Sequence, residues 1–153
     1  RHAAAGRISW GDAQAEILER MRRAVEATEA EVEQTFLFTI VGALLTPGNA
    51  WLFAAGDGVV AWDDEEIRLG PFPENQPPYF GYGLFGNPVP LTVVREGIAQ
   101  RIVIGSDGAE ELPLREFADD RSFRNPDAIR RRLAMSSVGL FDDATVVAVR
   151  RRS

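Results

Sequence analysis

The 153-residue chain predicts an α+β protein built on antiparallel sheet. Three observations carry this. Near the N-terminus, apolar side chains recur at helical spacing. From residue 36 onward, short apolar runs alternate with Gly, Pro, Asn and Asp. The turns between the first of these runs are too short to hold crossover helices, so neighbouring strands run antiparallel.

Residues 9–34 read as one helix. Ser9 is placed to cap it, with Asp12 three positions on, as in a capping box. Ile17, Leu18, Met21, Val25 and Val32 make one apolar stripe, while Glu16, Glu19, Arg20, Arg22, Arg23 and Glu26 cover the rest. The stripe is as wide as a face packed on a sheet requires. Residues 36–45 (FLFTIVGALL) read as a strand covered on both faces, since apolar residues run through it without alternation. Pro47-Gly48-Asn49 turns the chain and residues 50–55 resume a strand. Gly56-Asp57-Gly58 interrupts it, residues 59–62 continue in the same direction, and Asp63 to Glu66 turn the chain so that 67–69 return. The expectation is a meander.

Residues 70–90 change character, with Pro and Gly interleaved with Phe72, Tyr79, Phe80, Tyr82 and Phe85. A loop this long inside one domain either forms a wall or lid over a site or is a crossover pinned to the core by its aromatics. Both readings stay open. Strands follow at 91–95 and 100–105. A short helix is expected over 109–117, limited or split by Pro113. A further helix is capped by Asn125 and opened by Pro126, with Ile129 and Leu133 inward. Arg130, Arg131 and Arg132 read as its solvated face, a phosphate or acidic-partner site there being the minority reading. A last strand covers 144–150.

The totals narrow the function classes. The length fits a single domain over residues 1–153. A formal net charge of -6 disfavours general nucleic-acid binding, and every basic residue is Arg. Without cysteine there is no disulfide, thiolate zinc site or cysteine nucleophile, which suits the cytoplasm. His2 is the only histidine, so a Ser-His-Asp triad or multi-histidine metal site is disfavoured. No apolar run reaches the roughly 20 residues of a membrane span. Hydrolytic chemistry here would rest on carboxylates and a metal.

Two segments could supply it. Arg101 to Gly105 is an apolar strand that breaks into Ser106-Asp107-Gly108, and Asp142-Asp143 lead into Ala144-Thr145 and another apolar strand. Each aspartate alone reads as a turn or cap residue. Together they are more informative, because two neighbouring strands that carry carboxylates at one sheet edge can share a hard cation such as Mg²⁺ or Mn²⁺. Asp57, between two glycines, reads as structural. Thr39 reads as a satisfied core hydroxyl.

These segments resemble the PPM-type (type 2C) metal-dependent serine/threonine protein phosphatases. The run from Phe36 through Gly56-Asp57-Gly58 to Pro71 resembles the family's central strands, with Gly58 at the third motif position as in a divergent bacterial branch. RIVIGSDGAEEL resembles its strand-Ser-Asp-Gly element, and DDATVVAVR its closing strand. The order and spacing agree over about residues 10 to 152. The resemblance implies an αββα sandwich, two antiparallel sheets flanked by helices. It implies a two-metal Mn²⁺ or Mg²⁺ centre with Asp107 and Asp142 among its ligands. The reaction implied is hydrolysis of phosphoserine or phosphothreonine in a phosphoprotein substrate by a metal-activated water. The family's N-terminal Asp-Gly-x-Gly-Gly does not precede the first helix, where His2-Ala3-Ala4-Ala5-Gly6 resembles the segment that follows it. The expectation is therefore the C-terminal portion of a phosphatase. The alternatives are a catalytically inactive scaffold or binding domain of the same fold, and an unrelated domain whose aspartates only make turns.

Overall fold

The computed structural model describes residues 9–28, 31–136 and 142–151; His2 and Phe141 lie outside them. Among the described residues, seven strands form two antiparallel sheets. One has the order β1-β2-β5, from Ile40–Leu45, Ala50–Ala55 and Thr92–Gly97. The other has the order β4-β3-β6-β7, from Glu65–Leu69, Gly58–Trp62, Arg101–Gly105 and Val146–Arg150. Helix α1 (Trp10–Thr28) belongs to the first sheet's side, and the short α2 (Val32–Thr35) touches the 3₁₀ stretch Phe80–Phe85. Helices α3 (Asp120–Arg124) and α4 (Pro126–Ser136) belong to the second's. The layers are αββα, and the three clusters of buried side chains sit between them.

Strand alternation sorts the side chains among those clusters. Ala50 and Leu52 of β2 meet Val60 and Trp62 of β3 and Ile102 of β6 between the sheets. On the outer face of the first sheet, Phe53 and Ala55 pack with Met21, Ile17 and Leu18 of α1, and Trp10 lies 4.8 Å from the Phe53 ring. On the outer face of the second, Val59, Ala61 and Val103 pack with Leu114 and Phe117, and with Ile129 and Leu133 of α4. Both faces of β1 are covered as expected, Ile40 toward α1 and Val41, Ala43 and Leu45 toward the facing sheet.

Three local expectations are corrected. The helix over 9–34 is not continuous: α1 ends at Thr28, and Glu31, extended at φ -70° and ψ 121°, starts α2 separately. The strand after it starts at Ile40 rather than Phe36. The third correction concerns Gly56-Asp57-Gly58, which does not interrupt one meander. The chain does not stay in its sheet there. It passes from β2 in the first sheet to β3 in the second. Gly56 and Gly58 make this possible at φ 109° and 137°, values L-residues rarely adopt. A Cβ on Gly56 would also sit 2.3 Å from the Thr39 side chain.

The caps follow the sequence. Ser9 Oγ accepts from the Asp12 amide at 3.3 Å, and Asn125 Oδ1 accepts from the Asp127 amide at 3.0 Å. Pro113 separates two single 3₁₀ stretches, Asp107–Ala109 and Leu114–Ala118. Helix α3 was not anticipated. Asp119 caps it, accepting from the Ser122 amide at 2.6 Å, and also receives Arg132 at 3.1 Å. Asp119→Ala is expected to cost about 1 kcal/mol in urea unfolding at pH 7. The Ser122 hydrogen bonds, with Arg132 behind them, hold this carboxyl below its ordinary range. A lowered folded-state pKa gives stability that is present above the unfolded value of about 4 and is lost as pH falls through the folded one. The gap between wild type and variant should therefore close below about pH 4.

Candidate metal cleft

Four strand ends meet at one edge of the second sheet. Gly58 pairs with Leu69, Val59 with Gly105, and Gly105 with Val146. The starts of β3 and β7 and the ends of β4 and β6 therefore lie side by side. That register brings Asp57, Asp107 and Asp142 to one cleft of about 550 Å³. Glu110, Glu111 and Arg68 line it as well, and Pro71, Phe72, Pro77 and Tyr79 form its apolar wall. The loop at 70–90 thus combines both readings left open by the sequence. Phe72 and Tyr79 line the cleft, while Phe80 is fully buried against α1 and β2.

Ser106-Asp107-Gly108 divides its work by residue. The Ser106 amide donates to the Thr145 carbonyl at 3.0 Å, and the Thr145 amide returns a bond to Ser106 Oγ at 3.0 Å. Ser106 thereby stitches the end of β6 to the approach of β7. Asp107 is exposed, with Oδ1 receiving the Gly108 amide at 2.9 Å. Asp142 is also exposed and receives the Asp143 amide at 2.7 Å. Gly108 lets the two segments touch, since a Cβ there would lie 2.4 Å from the Asp143 carbonyl oxygen. Gly108→Ala must push the two aspartate segments apart.

The sequence-derived pair, Asp107 and Asp142, lines the same cleft, Asp107 just past the end of β6 and Asp142 on the approach to β7. Asp57, read from the sequence as structural, also lines the cleft, which the sequence did not show. It is half-buried, and burial pushes its carboxyl above the ordinary range. Its own backbone amide opposes that push, the Asp107 charge adds to it, and a hydrogen bond from Thr39 again opposes it. Thr39, read from the sequence as a core hydroxyl, is half-buried beside Asp57. The signal available was the pair of flanking glycines, which mark a close backbone approach. Arg130 and Arg131 are exposed and line no part of the cleft, and Arg132 is drawn to Asp119.

Carboxylate oxygens are the donors that Mg²⁺ and Mn²⁺ take, and such ions commonly bind through one or two carboxylates, completing their shell with water and substrate oxygens. Asp107 and Asp142 match that donor set. Among the described residues, no group of three or more His, Cys, Asp or Glu is arranged to hold a metal ion by itself. Also among the described residues, no helix is long and apolar enough to cross a membrane. No family model, curated protein or solved structure matches the chain.

Proposed function

We propose that the chain carries the cleft of a PPM-type serine/threonine phosphatase, hydrolysing phosphoserine and phosphothreonine in protein substrates with Mn²⁺ or Mg²⁺. One observation carries the reading: Asp107, just past the end of β6, and Asp142, on the approach to its partner strand β7, line one cleft together with Asp57. The αββα layering is the one the resemblance implies, which supports it further.

Asp107 and Asp142 would hold the cation. A bound divalent ion neutralises charge on a phosphoryl group and makes water a nucleophile near neutral pH. The amides of Gly108 and Asp143 fix one oxygen of each carboxylate, so little side-chain freedom is left to lose on binding. Repulsion between Asp57 and Asp107 is relieved when a cation enters, which ties affinity to the crowding of the carboxylates. Phe72 and Tyr79 offer an apolar face to the organic part of the ester. The sequence has no Cys and its one His is His2, so water and the cleft carboxylates are the groups this reading uses for proton transfer. The reading assigns the protein to the cytoplasm, which a cysteine-free chain suits.

The test is hydrolysis of p-nitrophenyl phosphate and of a phosphothreonine peptide, with Mn²⁺ and with EDTA. Both this chain and the product of its whole reading frame are assayed. Mn²⁺-dependent turnover by either supports the reading. Silence from both overturns it and leaves the cleft to binding alone.

A further inference from the structure

The cleft is lined by five carboxylates (Asp57, Asp107, Glu110, Glu111 and Asp142) and one cation, Arg68. A phosphate monoester carries negative charge into that field. Among the described residues that line it, Arg68 is the one with a positive charge to set against the ester's.

Its setting differs from that of Arg132 and Arg150. Arg132 and Arg150 are held by carboxylates at 3.1 and 2.8 Å, and each also lies over a phenyl ring. Arg68 has only loose carboxylate neighbours, Glu66 at 3.5 Å and Glu110 at 3.7 Å. Its short bond goes to a neutral acceptor, the Glu110 carbonyl, which receives Nη2 at 3.0 Å. A carbonyl orients a guanidinium without cancelling its charge. Arg68 sits on β4 opposite Val59, one residue past the Asp57-Gly58 crossing, and its bond reaches the turn that follows Asp107. The charge is thus tethered between the two segments that carry Asp57 and Asp107.

We infer that Arg68 is the phosphate-anchoring residue of the cleft and pairs its guanidinium fork with two oxygens of the phosphoryl group. A planar guanidinium matches that geometry, whereas an ammonium supplies only a point charge. The inference rests on the phosphatase reading for its substrate, but it concerns anion binding and can be measured separately from turnover.

The experiment titrates inorganic phosphate into the wild type, Arg68→Ala and Arg68→Lys by calorimetry, with and without Mn²⁺. Mn²⁺ affinity and thermal midpoint are recorded alongside. Loss of charge-assisted bonds should weaken phosphate binding about tenfold or more in Arg68→Ala, with a smaller loss in Arg68→Lys. Mn²⁺ affinity should hold, and the midpoint should move by no more than about 3 °C. The inference is overturned if the wild type binds no phosphate or if Arg68→Ala binds it within about twofold of wild type. Parallel loss of Mn²⁺ affinity and thermal midpoint would overturn it too, by making Arg68 a brace for the turn after Asp107. Should Arg68→Ala fail to fold, Arg68→Lys decides alone: weaker phosphate binding supports the fork, and equal binding refutes it. Phosphate binding that depends on Arg68 in a protein without Mn²⁺-dependent turnover would sink the catalytic reading and leave the anion site standing. Turnover with phosphate affinity indifferent to Arg68 would do the reverse.

Discussion

Asp107→Asn should reduce Mn²⁺-dependent hydrolysis by on the order of 10³-fold, about 4 kcal/mol of transition-state stabilisation. The substitution changes charge with almost no change in shape. The amide oxygen of Asn can still accept from the Gly108 amide, so the turn between β6 and the following 3₁₀ stretch survives. Ser106 still stitches that turn to Thr145. What disappears is one of the two negative charges proposed to hold the cation. Asp142→Asn should do the same from the other strand, and the double variant should lose little more than either single one, because ligands of one centre act as a unit. Unfolding midpoints should stay within about 3 °C of the wild type, since both carboxylates are exposed. Steady-state kinetics with Mn²⁺ titrated from zero separates a weaker metal site, rescued by more metal, from a dead one.

The second large effect is on stability. Phe80→Ala should cost about 3–5 kcal/mol, the range for deleting a fully buried aromatic ring. Phe80 is packed among Met21, Ala55 and Leu91, and its amide donates to the Phe38 carbonyl at 3.0 Å. Next to it, Gly81 lets the loop close onto residue 36, since a Cβ there would stand 2.0 Å from the Phe36 carbonyl oxygen. A cavity at Phe80 therefore loosens both the first sheet's outer core and the base of the cleft wall. Tyr79→Ala, one residue away but lining the cleft, should cost less than about 1.5 kcal/mol. Urea unfolding of both variants measures the contrast. Equal costs would mean that the loop is held along its whole length rather than pinned at Phe80.

Much of this fold was legible because its elements carry local signals. Ser9 and Asn125 announced their helices, and Pro113 announced its break. The uninterrupted apolar run of β1 announced burial on both faces. The sheet switch at Gly56-Asp57-Gly58 was not legible. Two strands that continue in one chain direction look the same in sequence whether they stay in a sheet or change sheets, and only the pairing of Gly58 with Leu69 and of Val59 with Gly105 separates them. That Asp57 lines the cleft was hidden for the same reason. Its position in the cleft depends on β3 lying beside β6, a tertiary fact. Helix α3 was missed because five residues carry too little periodicity to register. For Asp107 and Asp142 the reverse holds. Sequence identified the carboxylates and the condition under which they could cooperate, neighbouring strands with matched ends, and the antiparallel pairing of β6 with β7 meets that condition.

The central claim is that Asp107 and Asp142 share one divalent cation. The most direct measurement is Mn²⁺ binding, followed by electron paramagnetic resonance, in the wild type and in the Asp107→Asn/Asp142→Asn double variant. The account predicts saturable binding to the wild type that the double variant loses while remaining folded by circular dichroism. Equal Mn²⁺ binding by both proteins would contradict it and return the two aspartates to the role of turn residues.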